Sequence, residues 1–292
     1  MTLKLILAFV IAFAVSAVVG FFLVPYLRRI KAGQSIKENG PTWHMSKQGT
    51  PTMGGLMFIA AIAVVCLSVG FECMAEGEYG HLFCLAFALV FGAIGFLDDY
   101  EKLRKKQNLG LTAGKKLLLQ LAAAVAFIFL MRRFGYVALD SLYIPFWNKT
   151  VPVSEPLYVI FAAFVIVGTV NSVNLTDGVD GLAASTTMPV CIFFAVISML
   201  WGERFLSLGV FASGIAGGLL GFLIYNFNPA KVFMGDTGSL FLGGAVAALA
   251  FAYDMPLVLI LVGIVYICET LSDIIQVGYF KLTHGKRIFK MA

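Results

Sequence analysis

Amide and carboxylate side chains recur at every third position in one short stretch of the sequence. Asn171, Asn174, Asp177 and Asp180 form this series, and a glycine follows each aspartate. Three-residue spacing places oxygen atoms near one face of a helical turn, and hard oxygen ligands of this kind suit Mg²⁺. A polar turn with capping side chains is the alternative. It does not explain why this connection lacks basic residues while its neighbours are basic, so we favour a functional site.

Two adjacent carboxylates, Asp98 and Asp99, stand at the end of an apolar run, and Lys102 follows one helical turn later. They could form an acid/base or metal-handling pair in which Lys102 holds a phosphate. The alternative is a solvated helix end with ordinary ion pairs. We favour the first interpretation because ionisable residues at the membrane are commonly functional. Lys116, in the segment GLTAGKK, could bind phosphate or serve only as a topology signal.

Two further polar turns precede apolar runs. The first, KQGTPTMGG, contains Lys47 and Thr52, and it predicts either an anion-binding helix start or a capped helix N-terminus with tight glycine packing. In the second, Phe233 precedes Asp236 within FMGDTGS. Phe233 is either a face on which a flat base stacks or an interfacial anchor, and Asp236 is either a ligand or a helix cap.

The elements that position these residues must be membrane helices. Of the 292 residues, 60% are hydrophobic and 13% charged, and the mean hydropathy is +0.92. Soluble domains have about 45–50% apolar and about 25% charged residues. The five cysteines show no paired spacing, so neither a disulfide nor a thiolate metal site is expected. The composition predicts an all-α, polytopic integral membrane bundle formed by one domain, residues 1–292.

Nine apolar segments are candidate spans, since a helix needs roughly 20 apolar residues to cross a bilayer. They are residues 3–26, 53–70, 81–97, 117–131, 157–170, 182–200, 206–225, 240–251 and 256–278. Alternate connections carry 16 of the 21 basic residues, so the positive-inside rule makes these connections cytoplasmic and puts the N-terminus outside. The cytoplasmic segments 27–52, 98–116, 171–181, 226–239 and 279–292 then hold every motif above. The longest outer segment, 132–156, is expected to form a small hairpin.

Six stretches closely resemble the bacterial phospho-N-acetylmuramoyl-pentapeptide transferases, which belong to the polyprenyl-phosphate N-acetylhexosamine-1-phosphate transferase superfamily. The stretches are 50–55 (TPTMGG), 98–102 (DDYEK), 110–116 (GLTAGKK), 171–183 (NSVNLTDGVDGLA), 226–244 (NFNPAKVFMGDTGSLFLGG) and 285–292 (GKRIFKMA). They cover almost every cytoplasmic segment in order. The first and the last look like the peptidoglycan branch rather than the GlcNAc-1-phosphate branch.

The resemblance implies an Mg²⁺-dependent transferase of the bacterial plasma membrane with a cytoplasmic active site. Its reaction would convert UDP-MurNAc-pentapeptide and undecaprenyl phosphate into lipid I and UMP. Uridine-nucleoside antibiotics are the expected inhibitors, membrane lipid surrounds the protein, no nucleic-acid partner is expected, and a homodimer is left open. The family also has a histidine-containing motif and a tenth span after the position of residue 292.

The resemblance also assigns roles to individual residues. Asp236 resembles the Mg²⁺ ligand, with Asn174 and Asn171 as further metal-side oxygens. Asp98 looks like the base or binder for the lipid phosphate. The expected catalytic set is Asp98, Asp99, Asp177, Asp236, Lys102 and Lys116. The expected substrate-binding set is Lys47, Thr52, Asn171, Asn174, Gly178, Asp180, Asn226 and Phe233.

Other functions remain open from the residues alone. A relative that transfers another N-acetylhexosamine-1-phosphate from UDP-GlcNAc belongs to the same class. A nucleotide-sugar or lipid transporter would need polar residues in the outer halves of its spans and acids deep in several helices, and the sequence shows neither apart from Glu269. Asp273 follows one helical turn later, nearer the cytoplasmic end of the ninth span. We expect Glu269 to pair with a residue of another helix. A non-catalytic scaffold leaves the carboxylate clusters unexplained.

Overall fold

The computed structural model describes residues 1–30, 49–105, 107 and 109–289, and its architecture is the all-α bundle that the composition predicts. The helices are α1 (Thr2–Arg29), α2 (Leu56–Ser68), α3 (Phe71–Ala75), α4 (Gly80–Lys105), α5 (Ala113–Arg133), α6 (Glu155–Thr176), α7 (Leu182–Trp201), α8 (Leu206–Asn226), α9 (Gly235–Ala252), α10 (Leu259–Val262) and α11 (Ile264–Leu282). Strands β1 (Ser141–Ile144) and β2 (Lys149–Pro152) lie between α5 and α6.

Helices α8 and α9 form the centre of the bundle, because nearly all of their side chains are buried. Helix α9 packs against α4 and α6, and α8 packs against α1, α2 and α7. Small residues make this packing close: a Cβ atom on Gly243 would lie 2.5 Å from the Val170 Cα atom of α6. Such contacts are the usual means by which membrane helices associate. The outer helices present large apolar side chains at their surface, as lipid-facing helices do.

Seven helices in the described part of the chain are long and apolar enough to cross a membrane. The predicted second span corresponds to α2, whose 13 residues reach only about 20 Å at the rise of an α-helix. The predicted ninth span is two helical pieces, Pro256–Val262 and Ile264–Leu282, bent by 78°. Counting this bent pair as one span gives up to eight, so the total of nine stays a prediction.

The two ends of the bundle have different characters. At one end, β1 and β2 form the predicted hairpin, pairing antiparallel with Ser141 opposite Pro152. The salt bridge between Lys4 Nζ and Glu72 Oε2, 2.7 Å long, joins the start of α1 to α3. At the opposite end, α4 and α6 finish while α5 and α9 begin. The predicted polar motifs therefore converge at this second end.

Helix α11 does not give Glu269 the partner that the sequence suggested. Within the described residues, neither Glu269 nor Asp273 forms a hydrogen bond or ion pair, and both are partly exposed. The hydroxyl of Thr270, next to Glu269, instead lies 2.8 Å from Ser172 Oγ of α6. These hydroxyl groups form a polar contact between α11 and α6.

Candidate active site

Three carboxylates meet where α4 ends and α9 begins. Oxygen atoms of Asp98, Asp99 and Asp236 all lie within 4.8 Å of one another, close enough to share a metal ion. Asp98 and Asp99 are buried, with relative exposures of 3% and 2%, while Asp236 is partly exposed. Carboxylates this close repel one another unless cations lie among them.

Two glycines allow the two helices to come this close. A Cβ atom on Gly95 would overlap the backbone carbonyl of Asp236 and lie 2.7 Å from Thr237 N. Gly235 has a φ of +72°, which favours glycine, and a Cβ atom there would lie 2.6 Å from Asp99 Oδ2. The cluster therefore depends on two positions that carry no side chain.

Asp99 caps the N-terminus of α9 from the neighbouring helix. Its Oδ1 accepts a hydrogen bond from Asp236 N at 3.2 Å, and its Oδ2 accepts from Thr237 N at 2.9 Å and Thr237 Oγ1 at 2.7 Å. The first N–H groups of a helix have no partner within it, so a carboxylate is favourable there. Asp99 thereby fixes the position of Asp236.

Two lysines neutralise the other carboxylates. Lys102 Nζ lies 2.6 Å from Asp98 Oδ2 and 2.9 Å from Asp236 Oδ2. Lys116 Nζ, on the first turn of α5, lies 2.9 Å from the same Asp236 oxygen. Asp98 Oδ1 also accepts a hydrogen bond from Leu111 N at 2.7 Å, which holds the loop before α5 against the cluster.

Asn174 brings helix α6 into the cluster. Its Nδ2 donates to Asp236 Oδ1 at 2.9 Å and to Ser239 Oγ at 2.7 Å. Both amide hydrogens are used in this way, so the amide oxygen is left to accept. The sequence placed Asn174 beside Asp236, and the structure brings the two together.

Asp177 follows the last residue of α6 and faces the same acids. Burial raises its pKa well above the ordinary value, and the negative charges of Asp236, Asp99 and Asp180 raise it further. Throughout the residues that the structure describes, its carboxylate has no hydrogen-bond or ion-pair partner. Asp177 is partly exposed to solvent, so its unpartnered carboxylate is accessible to a cation or a hydrogen-bond donor.

Asn171 lies about one helical turn before Asn174 on α6, and its amide group is hydrogen-bonded to another side chain. Its Nδ2 donates to Gln120 Oε1 at 2.7 Å and to Val167 O at 2.8 Å, and Gln120 Nε2 lies 3.5 Å from its Oδ1. Gln120 is buried on α5. This amide pair ties α5 to α6 behind the cluster, and the metal-side role expected for Asn171 stays a prediction.

A second group of predicted residues forms the turn between α8 and α9. Asn226 Oδ1 accepts from Gly181 N at 3.0 Å, and its Nδ2 donates to Val232 O at 2.8 Å. Asp180 Oδ2 accepts from Ala230 N at 3.1 Å. These bonds join the glycine-rich stretch after α6 to the segment that carries Phe233, and both ends of the Asn226 amide take part.

The segment that contains Thr52 runs beside the Phe233 segment. Phe233 N donates to Pro51 O at 2.8 Å, and Gly54 N donates to Phe233 O at 2.8 Å. Thr52 is buried next to Gly235, while Gly178 is exposed at the rim. Lys47 lies outside the described residues.

Sequence reasoning missed four contributors: Leu111, Gln120, Thr237 and Ser239. Thr237 and Ser239 lie in the segment FMGDTGS, in which the sequence indicated roles for Phe233 and Asp236 alone. Their hydroxyl groups at the start of a helix could have indicated a role as hydrogen-bond partners. Gln120 is an amide inside the apolar run LLLQLAAA, where an uncompensated polar group is costly. Leu111 contributes through its backbone N–H group, which cannot be recognised from a pattern of side chains.

The arrangement suits the handling of phosphate groups. The three carboxylates form a set of hard oxygen donors of the kind that Mg²⁺ prefers, and the Asn174 side chain is hydrogen-bonded to one of them. The two lysines supply positive charge beside them. Sites that transfer phosphoryl groups work mainly by positioning and by charge neutralisation.

Comparisons with known proteins agree with this chemistry. The family model described as glycosyl transferase family 4 matches residues 81–254, more than half of the chain. The model described as phospho-N-acetylmuramoyl-pentapeptide-transferase signature 1 matches residues 47–59. The second match covers the segment that lies beside Phe233.

Curated relatives named phospho-N-acetylmuramoyl-pentapeptide-transferase are similar over nearly the whole chain. The protein from Caldanaerobacter subterraneus subsp. tengcongensis is 46% identical over 290 residues, which cover 99% of this chain and 88% of the relative. The protein from Clostridium botulinum (strain Alaska E43 / Type E3) is 46% identical over 98% of this chain and 85% of the relative. That from Staphylococcus carnosus is 45% identical over 97% and 87%.

Proposed function

Since the chain belongs to the phospho-N-acetylmuramoyl-pentapeptide-transferase family, within glycosyl transferase family 4, we propose that it transfers phospho-MurNAc-pentapeptide from UDP-MurNAc-pentapeptide to undecaprenyl phosphate. The products are lipid I and UMP. The observation that carries this proposal is the cluster of Asp98, Asp99 and Asp236 with Lys102 and Lys116 among them. Such a cluster matches a reaction in which two phosphate-bearing substrates must approach each other.

The reaction exchanges one phosphorus–oxygen bond for another. An oxygen of the acceptor phosphate attacks the phosphorus atom that carries the sugar, and the bond from that phosphorus to the UMP oxygen breaks. Lys102 and Lys116, whose Nζ atoms each lie 2.9 Å from Asp236 Oδ2, would bind the negatively charged phosphates. They reduce the repulsion between the two anionic substrates.

We assign Mg²⁺ to the carboxylate cluster, held by Asp236 and the Asn174 amide oxygen, with Asp98 and Asp177 close by. When bound, the ion would neutralise charge on the phosphates. The hydrogen bonds from Asp236 N and Thr237 to Asp99 leave that carboxylate a mainly positioning role. The Asp177 carboxylate, which has no partner among the described residues, supports this assignment.

Asp98 need not remove a proton. By analogy with phosphoserine, the second pKa of a phosphate monoester is about 6, so the acceptor is mostly ionised at neutral pH. Asp98 is bound by Lys102 Nζ at 2.6 Å and by Leu111 N at 2.7 Å. We therefore assign it to orienting Lys102 and the loop before α5.

We place the uridine moiety against the Phe233 segment and the glycine-rich turn after α6. Phe233 would offer a ring face, and Asp180 and Gly178 would line the rim. Asn226 supports this surface from behind through Gly181 N and Val232 O. Lys47 is proposed to contribute to uridine binding, and uridine-nucleoside antibiotics are proposed to compete with the nucleotide.

The orientation follows from the charge bias of the connections. We propose that the acidic cluster faces the cytoplasm, because the connections at this end carry most of the basic residues. The N-terminus would then lie outside. A homodimer remains a proposal that measurement of mass in detergent would test.

The decisive experiment supplies purified protein with undecaprenyl phosphate and one of two donors. UDP-MurNAc-pentapeptide should give UMP and lipid I in the presence of Mg²⁺, and a chelator should stop the reaction. Turnover of UDP-GlcNAc instead would favour the other branch of the superfamily. Transport of a nucleotide-sugar into vesicles without UMP release would contradict the transferase proposal.

A further inference from the structure

A groove on the lipid-facing side of the bundle lies apart from the acidic cluster. It has a volume of about 380 Å³ and runs along the last two turns of α1, beside the end of α8. Phe21, Phe22 and Val24 line its apolar part. Arg28 and Lys231 line it at the end nearest the polar connections.

The apolar wall of the groove is held in place. Tyr225 O–H donates to Ala17 O at 2.8 Å, which fixes the tyrosine ring against α1. Gly20 permits this contact, because a Cβ atom there would lie 2.9 Å from Tyr225 Cδ2 and even nearer other atoms. Phe21 and Phe22 are each 68% exposed, so the mouth of the groove opens toward the bilayer.

The Arg28 guanidinium is held by a backbone carbonyl rather than by an acid, and the backbone of Lys231 is fixed beside it. Arg28 Nη2 donates to Lys231 O at 3.5 Å, and Lys231 N donates to Tyr225 O at 2.7 Å. Neither side chain has a carboxylate within ion-pair distance among residues 1–30, 49–105, 107 and 109–289. Their positive charges are therefore available to an anion outside this part of the chain.

Polarity changes along the groove in the order that a phospholipid requires. Phe21 and Arg28 are seven residues apart on α1, which corresponds to about 10 Å along a helix axis. The aromatic end lies deeper in the apolar part of the helix, and the cationic end lies where α1 finishes. An acyl chain fits the first environment, and an anionic headgroup fits the second.

We propose that this groove is a binding site for an anionic phospholipid such as phosphatidylglycerol. Its acyl chain lies against Phe21, Phe22 and Val24, and its phosphate lies between Arg28 and Lys231. The site is separate from the acidic cluster and does not depend on the proposed transfer reaction. It takes a lipid that is not consumed.

Retention of lipid by the purified full chain tests the proposal. In native mass spectrometry, the wild-type chain should retain phosphatidylglycerol in preference to phosphatidylcholine. The double variant R28Q/K231Q should bind phosphatidylglycerol about tenfold more weakly, because each cation near an anionic lipid surface contributes about fivefold or less. R29Q/R133Q removes the same charge outside the groove and should bind as the wild type does. An equal loss of phosphatidylglycerol binding in the two double variants would overturn the proposal.

Competition and a fluorescence probe separate the remaining interpretations. Inorganic phosphate should not displace the lipid; displacement at low concentration would make this a simple phosphate site and overturn the lipid assignment. Displacement of phosphatidylglycerol from this groove by undecaprenyl phosphate would likewise overturn it. In the variant F22W, phosphatidylglycerol with brominated acyl chains should quench the added fluorescence more than brominated phosphatidylcholine. Equal quenching would contradict the proposal even if R28Q/K231Q failed to fold.

Discussion

The Asp99 carboxylate on α4 accepts two hydrogen bonds from one residue of α9, Thr237, through its N–H group at 2.9 Å and its hydroxyl at 2.7 Å. The carboxylate thus serves as a helix cap supplied by a different helix. Because the capped turn contains Asp236, the cap also sets the position of the proposed metal ligand. Of the two adjacent acids at residues 98 and 99, only the second binds the α9 backbone among the described residues.

Replacement of Asp99 by alanine should lower both stability and turnover. The change leaves the N–H groups of Asp236 and Thr237 buried without partners, and each unsatisfied group costs about 1–3 kcal/mol. T237V, which removes only the hydroxyl bond, should have a smaller effect. The unfolding temperature in detergent and the rate of UMP release should both be lower than in the wild type for each variant. E76A, at an exposed acid on the other end of the bundle, serves as the control; full activity with a lowered Tm in D99A would refute the positioning role.

Replacement of Asp236 by alanine should abolish Mg²⁺-dependent UMP release while the protein still folds. Asp236 is the carboxylate to which Lys102, Lys116 and Asn174 all point. The substitution removes a proposed metal ligand. The positive charges of Lys102 and Lys116, no longer paired with Asp236, should further disfavour a cation there. Turnover measured across a Mg²⁺ titration should show no recovery at high Mg²⁺. Unchanged turnover would contradict the metal assignment.

The sequence predicted which motifs share one end of the bundle, but not how their atoms are used. Alternating span ends and the positive-inside rule were enough to bring Asp98, Asn174, Lys116 and Asp236 to the same side. The use of each oxygen depends on packing between helices distant in sequence. Asn171, for example, belongs to the same three-residue series as Asn174, yet it pairs with Gln120 because α5 passes behind α6 at that level.

The bend in the predicted ninth span is another feature that the sequence did not predict. The apolar run 256–278 has the length and composition of one straight span, and no proline interrupts its middle. The structure bends it by 78° around Gly263. That bend depends on the rest of the bundle rather than on local hydropathy, so an apolar window could not predict it. The hairpin of β1 and β2, by contrast, followed from prolines and alternating side chains in a polar segment.

Replacement of Asp98 by asparagine should lower turnover far more than it weakens binding of the nucleotide-sugar. Asparagine can still accept from Leu111 N, but it loses the charge that holds Lys102 at 2.6 Å. Turnover should fall at least about tenfold, since charged hydrogen bonds contribute about 1.5–3 kcal/mol. Calorimetric binding of UDP-MurNAc-pentapeptide should change little. Comparable losses in turnover and binding would argue against a role on the acceptor side.

Replacement of Phe233 by leucine should weaken competition by UMP without changing the fold. Leucine keeps an apolar side chain but removes the ring on which a base would stack, and such stacking contributes roughly 1–3 kcal/mol per base. The backbone bonds to Pro51 O and from Gly54 N do not depend on the side chain. F233Y should retain competition, because it preserves the ring. An unaltered inhibition constant in F233L would leave Phe233 as an interfacial anchor.

Asp254, in the connection after α9, should make the protein less stable as the pH rises from about 4 to about 6. Burial raises the pKa of Asp254 from an ordinary value of 3.8 to about 6. Between these values the folded chain holds a proton that the unfolded chain has released, so stability falls with rising pH and stays low above the folded pKa.

In D254N the amide carries no charge, and asparagine tolerates the φ of +53° at this position. The variant should therefore match the wild-type Tm near pH 4 and exceed it at pH 7, in scans at one heating rate. D140N, at an exposed acid of the same end, should leave the wild-type pH dependence in place, and a Tm difference between D254N and wild type that is independent of pH would contradict the assignment to Asp254.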